Sequence, residues 1–187
     1  NPNGGSYPQF AGQLGGALVF LAQDETGTPH LWSTDGTEAG TQLLGGSTIT
    51  NLGAFGATLG DRLIFSADDG KHGMEPWSTD GTPEGTGLLA DVVTATADSS
   101  PREFVQFRGA AYFVATGLQG NGLYRHDPDS ASGATLVKSF GSVDRLKVFD
   151  DRLWFVVNGN QLWTSDEAGT ELFKDIGQPI LSSLLPV

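Results

Sequence analysis

"LWSTDGTEAGT" at residues 31–41 returns as "PWSTDGTPEGT" at 76–86 and, shortened, as "LWTSDEAGT" at 162–170. A phrase reused at wide separation marks a repeat, and a repeat decides the architecture before any local propensity does. With the Trp as marker, Trp32, Trp77, Tyr124 and Trp163 stand 45, 47 and 39 residues apart. An upstream marker, Phe20, Phe65, Phe113 and Phe155, keeps spacings of 45, 48 and 42. A third set lies six residues before each Phe: Leu14, Leu59, Phe107 and Phe149. Three markers with one period near 45 define four units, about 7–46, 47–97, 98–140 and 141–178.

Each unit reads as four short strands. The first ends at a tight pair, Gly15-Gly16, Gly60-Asp61, Arg108-Gly109 or Asp150-Asp151, which suits a short hairpin because Gly and Asp tolerate positive φ. The second is the apolar run around the Phe, the third carries the Trp, and the fourth follows "GT". From the Asp of each unit (Asp35, Asp80, Asp127, Asp166) to the next Thr (Thr41, Thr86, Thr135, Thr170) takes 6, 6, 8 and 4 residues. Even steps would preserve the facing of the strand that follows. No stretch carries a helical 3.6 period long enough for a crossover. Four-stranded units at this period predict an all-β chain, a β-propeller of four-stranded antiparallel blades with four blades present. Residues 1–187 then form a single propeller domain or half of one. The tail "PILSSLLPV" (179–187) reads as the start of a fifth unit or as a ring-closing strand. Two copies would complete an eight-bladed ring as a homodimer, hiding exposed sheet edges.

Composition narrows the function classes. The net charge is -12 with only ten Lys and Arg, so the clustered basic residues that phosphate contact needs are missing and nucleic acid is excluded as a partner. No apolar run reaches the roughly 20 residues of a membrane span. The chain has no Cys, so neither a disulfide nor a Cys-based zinc site can form. "NPNGGSYP" reads as a mature or truncated start without a signal peptide. The acidic balance suits a secreted protein.

"LWSTDGTEAGT" and "PWSTDGTPEGT" resemble the ELWxxDGT repeat of large bacterial secreted or surface proteins. Residues 65–92, "FSADDGKHGMEPWSTDGTPEGTGLLADV", look like nearly a whole unit of that family. The resemblance spans roughly 10–178, strong in the first two units and degenerate in the last two. The Glu-Leu-Trp core reads His30-Leu31-Trp32, Glu75-Pro76-Trp77, Gly122-Leu123-Tyr124 and Gln161-Leu162-Trp163. The third unit has Asp127-Pro128-Asp129 in place of Asp-Gly-Thr. The resemblance implies a propeller-like repeat on an exported bacterial protein, and no catalytic residue comes with it. The "STDGT" turn also looks like the Asp-box of sialidases and other propellers, where the Asp caps a hairpin.

Asp35, Gly36 and Thr37, with Asp80, Gly81 and Thr82, therefore read as Asx-type turns. A calcium site would need about 6–8 oxygens where each copy offers one carboxylate. Calcium is the one cofactor in prospect, and Asp68 and Asp69 in the loop before the third strand are its candidates. Asp24 and Glu25 occupy the matching loop of unit one. The Trp series could stack on sugars, but at one repeated strand position it reads as packing between blades. His30, His72 and His126 fall at unlike places in the repeat and show no zinc spacing. Ser33 and Ser78 are repeated, hence poor nucleophiles, and no G-x-S-x-G elbow occurs. Pro76 predicts a local distortion of its strand. An enzyme would need non-repeated polar residues on first strands at the central channel, and Arg102, Glu103, Asp144 and Arg145 are the candidates. The expected function is a non-catalytic scaffold, adhesion or binding module, secreted or on a bacterial surface, with a carbohydrate or protein ligand. A lectin and a glycan-active enzyme are the alternatives.

Overall fold

The structure, a computed structural model, describes residues 4–44, 49–128, 130, 133–166 and 169–177. The first sheet holds β1 (Gln9–Leu14), β2 (Ala17–Gln23), β3 (Pro29–Thr34) and β4 (Gln42–Leu43). The second holds β5 (Asn51–Leu52), β6 (Ala57–Leu59), β7 (Arg62–Asp68), β8 (Met74–Thr79) and β9 (Gly87–Leu88). The third holds β10 (Arg102–Phe107), β11 (Ala110–Gly117), β12 (Gly120–His126) and β13 (Ala134–Phe140). The fourth holds β14 (Val143–Phe149), β15 (Arg152–Val157), β16 (Gln161–Asp166) and β17 (Gly169–Asp175). Each sheet is an antiparallel meander in chain order, so each repeat unit is one blade. The tail 179–187 lies outside the described residues, as does Asp129.

The hairpins behave as the turn chemistry requires. Leu14 pairs with Ala17, Leu59 with Arg62, Phe107 with Ala110 and Phe149 with Arg152, each across two turn residues. Positive φ falls on Gly15, Gly60, Arg108, Gly109, Asp150 and Asp151, the sign that matches the strand twist at a two-residue hairpin.

Blade two departs from the pattern. Its first strand is split, and β5 and β6 both pair with β7. Between them Gly56 N donates to Ala11 O of the first blade instead of to its own sheet. Pro76 does not distort its strand, contrary to the sequence expectation. The β7–β8 register runs unbroken through the Ser66–Pro76 pair. The Pro76 carbonyl accepts from Leu89 N, so its missing N–H lies on the side of the short outer strand, where a proline costs least.

Facing alternates along each strand, and the two faces of a blade serve different interfaces. Phe65 pairs with Trp77 across β7 and β8, and both look back into a core shared with Val19, Leu21 and Leu31 of blade one. Phe113 and Tyr124 stack with ring centroids 5.7 Å apart and bury against Val92 from the preceding linker. Phe155 packs with Val114 and Leu123 of blade three, and Phe140 meets both Phe155 and Trp163 edge-on. The marker aromatics of blades two to four thus fill the gaps between blades. Trp32, with no blade before it among the described residues, is half-buried. First strands lie side by side at the middle, and β13 and β17 are largely exposed at the periphery. Packing runs from blade one to two, two to three and three to four. Among the described residues no comparable packing returns from four to one.

Trp77 is 2% exposed and sits in the largest of these cores. Replacing it with Ala should destabilise the fold by about 3–5 kcal/mol in urea unfolding. A loss under about 1 kcal/mol would contradict its interface role.

Candidate functional site

The strand order places all Asp turns at one end of the blades, beside the β1–β2-type hairpins. The loops holding Asp24, Asp68 and Asp69, and the linkers between blades, lie at the other end.

In the first turn Asp35 Oδ1 accepts from Thr37 N at 2.9 Å and Thr37 Oγ1 at 2.7 Å. In the second, Asp80 Oδ1 accepts from Thr82 N and Oγ1 at the same two distances. The threonine then passes the network on. Gly40 N donates to Thr37 Oγ1 at 2.9 Å and Gly85 N to Thr82 Oγ1 at 3.0 Å. Thr41 and Thr86 donate back to Thr37 O and Thr82 O, both at 2.6 Å. A Cβ at Gly40 or Gly85 would collide with the carboxylate of Asp35 or Asp80, which explains the glycine of "EAGT" and "PEGT". The hydroxyl and amide of Thr37 hold the Asp35 carboxyl below its ordinary pKa, and those of Thr82 do the same for Asp80.

Two anchors went unread in the sequence, although the repeated "DRL" at 61–63 and 151–153 signalled them. Arg62 donates to Ser78 Oγ and Gly85 O and stands 3.8 Å from Asp80. Arg152 stands 3.4 Å from Asp166. In the third blade Asp127 pairs with Arg125, and buried His126 closes the turn through Gly133 O at 2.9 Å. This turn also corrects the even-step expectation. Ser165 pairs with Thr170, and Thr34 and Thr79 share hydroxyl bonds with Thr41 and Thr86. The matching partner of His126 is Ala134, with Thr135 one place further on. The third turn thus differs from the others by an odd step. A bulge follows between Leu123 and Tyr124, as one does between Leu162 and Trp163 of the fourth blade.

At the other end, Asp68 Oδ1 accepts from Gly70 N at 2.7 Å. Asp69 accepts from Lys71 N, His72 N and the His72 ring. Burial works against the Asp69 anion, but these bonds outweigh it and lower the pKa. Asp24 is capped likewise by Thr26 and Thr28, with His30 at 3.0 Å. Two of the histidines are thus partners of the same loop's acid. Among the described residues no three His, Asp or Glu groups converge as a metal-binding set.

Glu75 is fully buried. It accepts from Ser99 Oγ at 2.7 Å, Val92 N at 3.0 Å and Val93 N at 3.3 Å, tying the linker between blades two and three to β8. Burial raises its pKa, and these three donors oppose the rise. Of the channel candidates, Arg102 reaches Val143 O and Asn121 Oδ1, both at 3.4 Å. Exposed Glu103 accepts from Leu146 N at 3.2 Å. Glu103 (φ 59°) and Arg145 (φ 64°) sit at equivalent bulges of β10 and β14. Asp144 is half-buried and Arg145 exposed.

No protein-family model matches the chain, and no curated protein sequence matches it. Solved structures do. The acylaminoacyl peptidase of Pyrococcus horikoshii matches over 91% of this chain at 14% identity, with a TM-score of 0.56. A structure from an analysis of two prolyl endopeptidases matches over 90% at 13% identity, with a TM-score of 0.55. The chain is a β-propeller of four blades. TolB from Acinetobacter baumannii matches over 85% at 15% identity, with a TM-score of 0.48. The chain spans 27% and 26% of the two peptidase chains and 41% of TolB.

Two expectations follow. Glu75→Ala leaves two linker N–H groups without their acceptor and should cost about 1–3 kcal/mol by urea unfolding. For pH, Asp35, Asp69 and Asp80 have lowered pKa values, so their stabilisation is full above the ordinary carboxylate range. It fades as pH falls through and below that range. Glu75 acts in the opposite sense, losing stability as pH rises past its ordinary pKa. A melting-temperature series against pH should therefore fall on the acid side, and Asp80→Asn should flatten that slope.

Proposed function

We propose that this chain is a non-catalytic β-propeller module of an exported bacterial protein, acting as a scaffold or adhesion unit. The reading rests on one observation. The repeated polar side chains, which a repeated ligand site would have to use, are engaged in their own turns. Asp35 and Asp80 accept from Thr37 and Thr82, and Asp69 from its own loop. The marker aromatics of blades two and three are buried between blades and closed to stacking on sugars. The resemblance to ELWxxDGT proteins and the net charge of -12 support the exported setting.

A glycan array followed by titration calorimetry tests the reading. We expect no specific glycan hit. A hit with stoichiometry near one site per blade would replace the scaffold by a lectin. Glycosidic turnover abolished by Glu103→Gln, in a variant that keeps the wild-type melting temperature, would replace it by an enzyme.

A further inference from the structure

Each internal interface is built from the same two contributions. The earlier blade supplies its third-marker residue: Leu14 packs into the first interface core, Leu59 into the second and Phe107 into the third. The later blade supplies the residue two places before its Phe. These are Leu63, Ala111 and Leu153, all buried in the same three cores.

Among the described residues, blades one and four each retain one unmatched half. Leu18 stands where Leu63, Ala111 and Leu153 stand, yet it is 42% exposed. Phe149 stands where Leu14, Leu59 and Phe107 stand, yet it is 71% exposed. Leu18 borders an open hollow with Phe10, Gly12, Gln13, Phe55 and Gly56. On the Phe149 face, Trp154 meets exposed Phe173 edge-on, centroids 4.9 Å apart. Half-buried Leu162 lies where buried Leu31 and Leu123 lie in blades one and three. Val156 and Thr164 beneath are covered already, so the apolar surface on offer is Phe149, Trp154, Leu162 and Phe173.

We propose that the Leu18 face of one copy receives the Phe149 face of a second copy, head to tail. Two such contacts close a ring of two chains. The occupant is argued from the internal interfaces: the missing half of each end contact exists on the same chain, at the same register, on the opposite end blade. A head-to-tail contact that closes after two copies leaves neither face in water. Every copy carries a charge of -12, so repulsion between copies opposes the contact. Salt near 0.15 M, with a Debye length of about 8 Å, should strengthen it.

Sedimentation velocity over a concentration series tests this with residues 1–187. The wild type should sediment at about twice its 19.6 kDa. Leu18→Glu and Phe149→Asp each remove one face. Both side chains are exposed, so circular dichroism should stay unchanged while the two-chain species disappears, and the variants should melt at a temperature independent of concentration. Phe10→Asp repeats the test on the first face should Leu18→Glu perturb folding. The decisive sample is an equal mixture of the Leu18 and Phe149 variants. Each retains the face the other lacks, so a mixed two-chain species should reappear, weaker than wild type because one contact remains. A wild type at single-chain mass throughout overturns the proposal. So does a single variant that keeps the two-chain species, or a mixture that stays at single-chain mass at the highest concentration.

Discussion

A four-stranded blade has two apolar faces and can bury neither alone. That constraint governs the whole molecule, because an isolated small sheet gains too little burial to offset the entropy of ordering it. Each blade must therefore carry two distinct complementary surfaces. The residues divide accordingly. Phe65 and Trp77 form one cross-strand pair and face the first blade. Ile64, one step along the same strand, joins Ala111 and Leu59 toward the third. Period-two alternation is what lets a single strand serve both neighbours.

The Asp turn answers a different demand. The chain must reverse between the strand that carries the Trp and the outer strand without shifting the register that aims the Trp. In blades one and two the carboxylate, the threonine hydroxyl and a glycine with no Cβ form one closed network. Blade three reaches the same end by other means. Its Asp127 turns to Arg125, and His126 bonds to Gly133 O. The phrase degenerates where another local device can hold the same pair, Tyr124 with Leu136, in register.

The legible part of the sequence was what repeats. The three markers located all four sheets, and the turn pairs located the hairpins. What stayed hidden depends on contacts that no period announces. The break in the first strand of blade two follows from Gly56 bonding to the neighbouring blade. The tolerance of Pro76 follows from which side its N faces, a fact of register rather than of composition. The role of Arg62 and Arg152 was visible in "DRL" but needed the turn end to be placed beside the start of the second strand. The pairing of His30 with Asp24 and His72 with Asp69 was obscured because the two histidines sit at different offsets from their acids.

Repetition also limits where a distinguishing property can reside. A residue that every blade needs for its own closure cannot confer on one blade what the others lack. The places where the units differ are the end faces and the positive-φ residues at the first-strand bulges of blades three and four. At those bulges Glu103 and Arg145 hold positive φ without being glycine, a conformation that costs about 1–3 kcal/mol and persists only where the surroundings impose it. For Glu103 part of that support is visible, since its carboxylate accepts from Leu146 N across the interface between blades three and four. Glu103, a candidate for chemistry as a non-repeated polar residue, is through this bond also a strut between blades. Its loss would loosen that interface as well as any site it serves, so activity alone cannot distinguish the two roles. A stability measurement on the same substitution must accompany it.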